Sequence, residues 1–352
     1  MIFPMRPMRG RILLAVSVAF LLVAGGCSSD SKKVARPADT TSTTLPPVFP
    51  LTGRPVSDPA AATRPATTVK IDNIAVARPQ AGIDKADVVF EEYTEGVTRF
   101  VVVFQSTEAE NVGPVRSVRP ADPTIATPFG GVLAFSGGAP AIVALAEASP
   151  LKIVTENDAD VMKRRSGRSA PHNLYTTTAG LLSKATPGSP PPPPFATFLR
   201  PGQSFVGAGA VPIAHLSVVP APSVTADYDW DGAGGTWKRS TDGRPHELED
   251  GGQISPANVI VQFTPYPDFP ADSKVKFPEV VGTGDAWVFA SGQMVKGHWS
   301  KSAPTAMTTF TDAAGAPIVL PPGQTWVHFV APDAPVTPTG PPPPPTPATA
   351  VP

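Results

Sequence analysis

ADVVFEEYTEGVTRFVVVFQS, from Ala86 to Ser106, holds two runs of β-branched and aromatic residues on either side of Thr94-Glu95-Gly96. Such runs favour extended backbone, and a glycine between them supplies the positive φ of a tight turn. The stretch therefore reads as a β-hairpin. Its neighbours extend the pattern. TVKIDN (Thr68 to Asn73) reads as a strand, and GVLAFSGG (Gly131 to Gly138) as a buried strand ending in a glycine turn. Pro120 to Ala126 and Pro140 to Ala148 are helical by composition. TTTAGLLSKA (Thr176 to Ala185) starts with threonine capping candidates and continues as a helix. Strands and helices alternate, so residues 51–187 are expected to form an α/β-type module with a mixed sheet.

Residues 213–331 read differently. NVIVQFTPY, AWVFAS, QMVKGHW, TAMTTFTD and TWVHFV are short β runs separated by Asp-Gly, Ser-Gly, Ala-Gly and Pro-Gly turns. Close turn spacing of this kind predicts a mostly β module, a small sandwich or barrel-like sheet. Between the modules, residues 188–212 include the run Pro190 to Pro194 and read as a Pro-rich linker. Residues 28–50 and 332–352 are rich in Ser, Thr and Pro and are expected to be a disordered tether and tail. The fold class is thus α+β, with no internal repeat.

The N-terminus gives a location. Arg6, Arg9 and Arg11 precede an apolar run from Ile12 to Ala24, and then comes VAGGCSSDS. A basic segment, a short apolar segment and small residues make a secretory signal. The run is too short for a transmembrane span of about 20 residues. Ala24-Gly25-Gly26-Cys27 resembles a lipobox, so residues 1–27 are expected to be a lipoprotein signal peptide with Cys27 as the lipid acceptor. Lipid on Cys27 would hold the chain at the extracytoplasmic face of the cell membrane. Cys27 is the only cysteine, so no intrachain disulfide is possible. A net charge of −1 argues against nucleic acid as a partner.

Several chemistries fail on spacing. DYDWDG (Asp227 to Gly232) matches the start of an EF-hand loop, but the closing twelfth position is Lys238, which cannot bind a cation. His172, His215, His246, His298 and His328 are scattered and lack metal-ligand spacing, so no metal site and no cofactor is expected. There is no GxSxG or SxxK nucleophile motif, although Ser136 follows a strand and precedes two glycines. Glu91 and Glu92 are adjacent on a strand and so point to opposite faces, which suits solvent or salt-bridge roles.

What remains is a set of polar residues in the first module. Asp72 and Asn73 end a strand, Arg99 opens the second arm of the hairpin, and Arg164, Arg165 and Arg168 lie in MKRRSGRSAPHNLY (Met162 to Tyr175). Arg116 and Arg119 sit in GPVRSVRP (Gly113 to Pro120), Gly137 and Gly138 end a strand, and His172 and Asn173 precede a helix. Arginine offers a planar fork to carboxylate or phosphate, and glycine turns and helix starts aim backbone N–H groups at anions. One reading gathers these residues into an anion-binding cleft. The other ties the arginines to Glu91, Glu92 and Glu95 in internal salt bridges.

The stretches ARPQAGIDKADVVFEEYTEGVTRF, NVGPVRSVRP, AFSGGAP and RSAPHNLYT, then SPANVIVQF and GTGDAWVFASGQMVKGHWSKSAPTAMTTFTDAAGAPIVLPPGQTWVHF, together resemble the DUF3048 family of bacterial lipoproteins. The resemblance implies an N-terminal and a C-terminal module and a cell-envelope location, and supplies no activity. Ala139 stands where the family often has Ser, which weakens hydroxyl-based catalysis at that turn. The proline run looks like a local insertion and suggests loose coupling between the modules. The expected function is a membrane-anchored lipoprotein, more a binder than an enzyme, that takes an anionic or peptide-like cell-wall component or an envelope protein. Arg99, Arg116, Arg119, Gly137, Gly138, His172 and Asn173 would line its site. The alternative is a wall-active hydrolase or transferase using His172 with Arg116 and Arg119.

Overall fold

The hairpin forms as its residues direct. β2 (Val88–Thr94) and β3 (Val97–Phe104) are joined by Glu95 and Gly96, at φ 52° and 88°. Two consecutive positive φ values match the twist of the strands they connect. This is a computed structural model, and it describes residues 46–341. The expected signal peptide, Cys27 and the expected tether up to residue 45 lie outside the described residues, as does the chain from residue 342.

Around the hairpin a large mixed sheet assembles. On one side, β3 pairs antiparallel with β1 (Thr67–Asp72), and β1 pairs parallel with β4 (Val132–Ala134), which pairs parallel with β5 (Lys152–Val154). On the other side, β2 pairs parallel with the strand Thr325–Val330. That strand continues through Asn258–Phe263, Gly282–Ala290 and Gln293–Lys301 to Thr309–Asp312. The helices are short: α1 (Pro59–Thr63), α2 (Asp122–Ala126), α3 (Pro140–Glu147) and α4 (Thr178–Lys184). Thr177 caps α4, its hydroxyl accepting from Gly180 N at 2.9 Å. A second, five-stranded sheet includes His215–Ala221, Val224–Asp231 and Thr236–Thr241. It packs on one face of the large sheet, where Leu216, Val218, Tyr228 and Trp237 meet Val259, Val261 and Phe289. The chain is α+β overall but mostly β.

Three expectations change. The two halves do not keep separate sheets: the pairing of β2 with Thr325–Val330 makes one continuous sheet, and one core cluster holds Val88, Phe90 and Val101 together with Ile260, Val288 and Phe329. The Pro-rich segment is not a loose connection. Phe195 and Phe205 are buried in that same core, and Leu199 N donates to Leu320 O at 2.8 Å. Finally, the ends of the tether and tail are ordered where the description reaches them. Phe49 is buried, and Val336–Thr339 pairs with His215–Ala221. In the last two cases an apolar residue or a strand edge inside a polar, proline-rich stretch found a partner.

DYDWDG lies in the strand Val224–Asp231 and the turn after it. Asp231 accepts from Ala233 N and Gly234 N and pairs with Lys238 at 2.9 Å, a turn role rather than the opening of an ion loop.

Candidate functional site

β1 and β4 run parallel, so their C-terminal ends lie at the same edge of the sheet, as does that of β5. Ligands of open α/β sheets gather outside such ends. β4 leaves the side of β1 after Val69, and GPVRSVRP takes the vacated place. Asp72 N donates to Pro114 O at 3.0 Å and Arg116 N to Lys70 O at 2.9 Å. The segment is held on its other side by the glycine turn, where Ser136 N donates to Arg116 O and Val118 N to Gly137 O. It is rigid because it completes an interrupted sheet position.

Two of the expected residues contact Asp72, the last residue of β1, and a third faces it across the sheet. Asp72 is fully buried. Its Oδ2 lies 3.0 Å from Arg116 Nε and 2.7 Å from His172 Nδ1. Arg99 stands directly opposite Asp72 across the β1–β3 pair. Yet Arg99 reaches no carboxylate within salt-bridge distance among the described residues. Its one bond runs from Nη1 to Ser117 O at 3.2 Å, and its buried Nε has no partner. Burial, with the charges of Arg119 and Arg116 close by, pulls the Arg99 guanidinium down to about 10. The charges of Asp72 and Glu95 offset that pull only in part, and a 5% exposed cation beside two like charges is an arrangement that an anion would relieve.

Two expected residues are spent elsewhere. Arg119 bonds Glu95, Thr94 Oγ1 at 2.8 Å and Val118 O at 3.1 Å, so its fork is closed and it does not pair with Arg116. Asn173 closes its own loop: it accepts from Arg164 at 2.8 Å and donates to Arg165 O and Arg168 O. Neither orients a ligand at Asp72. Of the internal salt bridges expected as the alternative, Arg119–Glu95 forms. Glu91 and Glu92 do point to opposite faces, but both are buried ion-pair partners of other residues: Glu91 of Arg239 and Glu92 of Lys70.

The glycine turn supplies backbone. Gly137 has φ 63°, and Gly138 sits so close to Val118 that a Cβ there would come within 2.9 Å of it. α3 starts two residues later with no side-chain cap. Glu156, just past β5, completes the edge. Its Oε1 would lie 3.3 Å from a Cβ on Gly137, and its buried Oε2 has no partner. Asp72 was expected only as the polar end of a strand, and Glu156 was missing from the expected site altogether. The alternation of TVKIDN puts Lys70 and Asp72 on one face, a signal that was available. Nothing local marks Glu156.

On the opposite face of the sheet a buried polar network joins the halves. Arg239 donates to Tyr228, and Tyr228 lies 2.8 Å from His328 Nε2. Glu91 Oε2 lies 3.0 Å from Arg239 and 3.3 Å from His328 Nδ1. His246 lies 2.9 Å from Gln80 Oε1, and Gln80 donates to Asp72 O at 2.9 Å. His328, whose alternation with apolar residues in TWVHFV suggests a half-buried place on a sheet, is fully buried. Burial drives its pKa down to about 4 and that of His246 well below the usual value.

With fold and geometry in hand, the chain can be placed. It belongs to the DUF3048 family: residues 51–189 match the N-terminal and residues 217–327 the C-terminal domain of this protein of unknown function. It is 26% identical over 306 residues to "Putative lipoprotein YerB" of Bacillus subtilis (strain 168), covering 80% of this chain and 85% of that one. The crystal structure of Bacillus subtilis YerB superposes with a TM-score of 0.70 at 24% identity, over 83% of this chain and 99% of that one. That likeness is one of fold. Among the described residues no helix is long and apolar enough to cross a membrane.

Proposed function

We propose that this chain is an extracytoplasmic lipoprotein, anchored through lipid on Cys27, that binds an anionic, peptide-like component of the cell envelope at the Asp72 edge. Arg99 and Arg116 grip the anion, His172 flanks it, and the Gly137-Gly138 turn offers backbone N–H groups. The observation that carries the reading is Arg99, a buried guanidinium beside Arg116 and Arg119 with no carboxylate of its own. Glu156 refines it. An unpaired carboxylate oxygen at the same edge favours a ligand with N–H donors next to its anion, such as a peptide with a free carboxyl end, over a bare phosphate polymer.

The test is a thermal shift of the purified protein with wall peptides, the same peptides amidated at the C-terminus, and phosphate polymers. Binding raises stability by about 2.7 kcal/mol at a hundredfold excess over Kd. The free-acid peptides should shift the transition, and Arg99→Gln/Arg116→Gln should abolish the shift. Equal shifts in the double variant would overturn the reading.

A hydrolase remains the second reading, on one observation. Asp72 holds His172 by Nδ1, and Nε2 makes no hydrogen bond among the described residues. A carboxylate-oriented imidazole with a free Nε2 is the arrangement of a general base. Release of product from wall fragments, lost in His172→Ala, would establish it; no turnover on long incubation would remove it.

A further inference from the structure

Far from the arginines, the strand Gln293–Lys301 alternates strictly at its end. Lys296, His298 and Ser300 face out, while Gly297, Trp299 and Lys301 face in. The inward position after Trp299 belongs to an apolar core, yet it holds a lysine that is 3% exposed. Lys301 Nζ donates to the carbonyl of Ala306 and meets no carboxylate among the described residues. The one other lysine this buried among the described residues, Lys70, lies against both Glu92 and Asp122. An ammonium group buried without a counter-ion is costly, and such groups are kept where something pairs with them.

The surroundings say what could. Lys301 lines a small cavity with Phe90, Phe129, Val280 and Phe329. Phe195, Met307 and Thr308 line both that cavity and a groove of about 240 Å³, which Phe310, Ile318 and Leu320 extend. The two spaces therefore share a wall, apolar apart from threonine hydroxyls. A single cation next to an apolar groove is complementary to a single anion on an apolar tail. The groove is somewhat smaller than sites for drug-sized ligands, which start near 300 Å³, so the tail is short.

We propose that Lys301 and this groove form a second binding site, separate from the Asp72 edge, for a medium-chain carboxylic acid. The cavity at Lys301 has room for only about 10 Å³, so the Phe195 and Met307 wall gives way for the carboxylate to pair with the Lys301 ammonium, while the acyl chain lies in the groove against Phe310, Ile318 and Leu320. Burial holds the free ammonium down to about 8, and a bound carboxylate would raise it, so binding takes up a proton near pH 8. Affinity then falls as pH rises above 8.

The experiment is calorimetric titration of the purified protein with decanoate, decanamide and decanol at pH 7 and pH 9, in two buffers of different ionisation heat. Decanoate should bind at least about tenfold more tightly than the neutral compounds at pH 7, the range of one charge-assisted hydrogen bond. It should weaken at pH 9, with proton uptake visible between the buffers. Lys301→Met keeps the length and apolar character of the side chain and should bring decanoate down to the affinity of decanol. Equal affinity for acid and alcohol, no binding of decanoate, or undiminished decanoate binding by Lys301→Met would each overturn the proposal. Should Lys301→Met fail to fold, the acid-to-alcohol ratio and the proton uptake of the unaltered chain decide it.

Discussion

Arg99 and Arg119 lie close enough to repel each other, yet their substitutions should behave in opposite ways. Arg119 closes the hairpin turn through Glu95, Thr94 and Val118 O. Arg119→Gln should lower stability by about 1–3 kcal/mol through lost charged hydrogen bonds and leave ligand affinity within a few-fold. Arg99 holds nothing but Ser117 O and suffers two like charges. Arg99→Gln should leave the denaturation midpoint unchanged or raise it, and eliminate ligand binding. Urea titration beside a binding isotherm for both variants checks the contrast; a large stability loss in Arg99→Gln would make it structural. Gly137→Ala offers a third comparison. At φ 63° and beside Glu156, an added Cβ should destabilise by about 1 kcal/mol or more. The sequence marked Arg116 and Arg119 as site candidates because arginine among Gly and Pro is unusual, and Arg99 and His172 by their places at a strand start and before a helix. It could not show which arginines were already occupied, because Asp72 reaches Arg116 and Glu95 reaches Arg119 from distant parts of the chain. Only the direction of side chains at the end of β1 separates them.

The elements themselves were mostly legible, since each rests on local chemistry: β-branched runs for the strands, Glu95-Gly96 for the turn, Thr177 for the cap of α4. What was hidden is how the strand Thr325–Val330 uses its polar residue. In TWVHFV, His328 alternates with apolar neighbours and reads as half exposed. It is buried because a second sheet covers that face and brings Tyr228 and Arg239 to it. This burial has a pH consequence. The pKa of His328 is about 4 in the folded chain, against about 6.5 unfolded. The unfolded chain therefore takes up a proton that the folded chain refuses as pH falls from 6.5 to 4. His328 contributes stability above pH 6.5 that is lost through this window, at up to about 1.4 kcal/mol per pH unit. Buried Asp87 and Glu92, raised to about 6 and 7, act in the opposite direction over part of the range, so the net curve is a poor readout. The difference between His328→Gln and the unaltered chain isolates the histidine. Gln still accepts from Tyr228 and donates to Glu91. The variant should be less stable at pH 7, and the gap should narrow steadily toward pH 4. A constant gap across that range would show that His328 is protonated inside the fold.

The molecule as a whole is less divisible than its sequence suggests. The composition changes near the Pro-rich segment, and the family's two domains fall on either side of it. A shift in composition reports local propensity, and pairing between distant strands leaves no local trace. The parallel pairing of β2 with Thr325–Val330 runs through the middle of the large sheet. Separating the halves would open that sheet and expose Val88, Phe90, Val101 and Val103 on one piece and Ile260, Val288, Val327 and Phe329 on the other. Each large apolar side chain left in water forgoes about 1.5–3 kcal/mol, against a typical net stability of about 5–15 kcal/mol for a domain. Glu91 would lose Arg239 and His328, leaving a buried acid unpaired. Residues 51–189 and 190–341 expressed apart should therefore each lack a cooperative unfolding transition and bind a hydrophobic dye. Mixed or produced together, they should recover one transition and lose the dye, because the interface is a strand pair and a shared core rather than a hinge. A cooperative transition in the N-terminal piece alone would mean that its β1–β5 sheet is sufficient. The Asp72 edge would then be a module that functions without the second half, and Gln80 would reach it without needing His246.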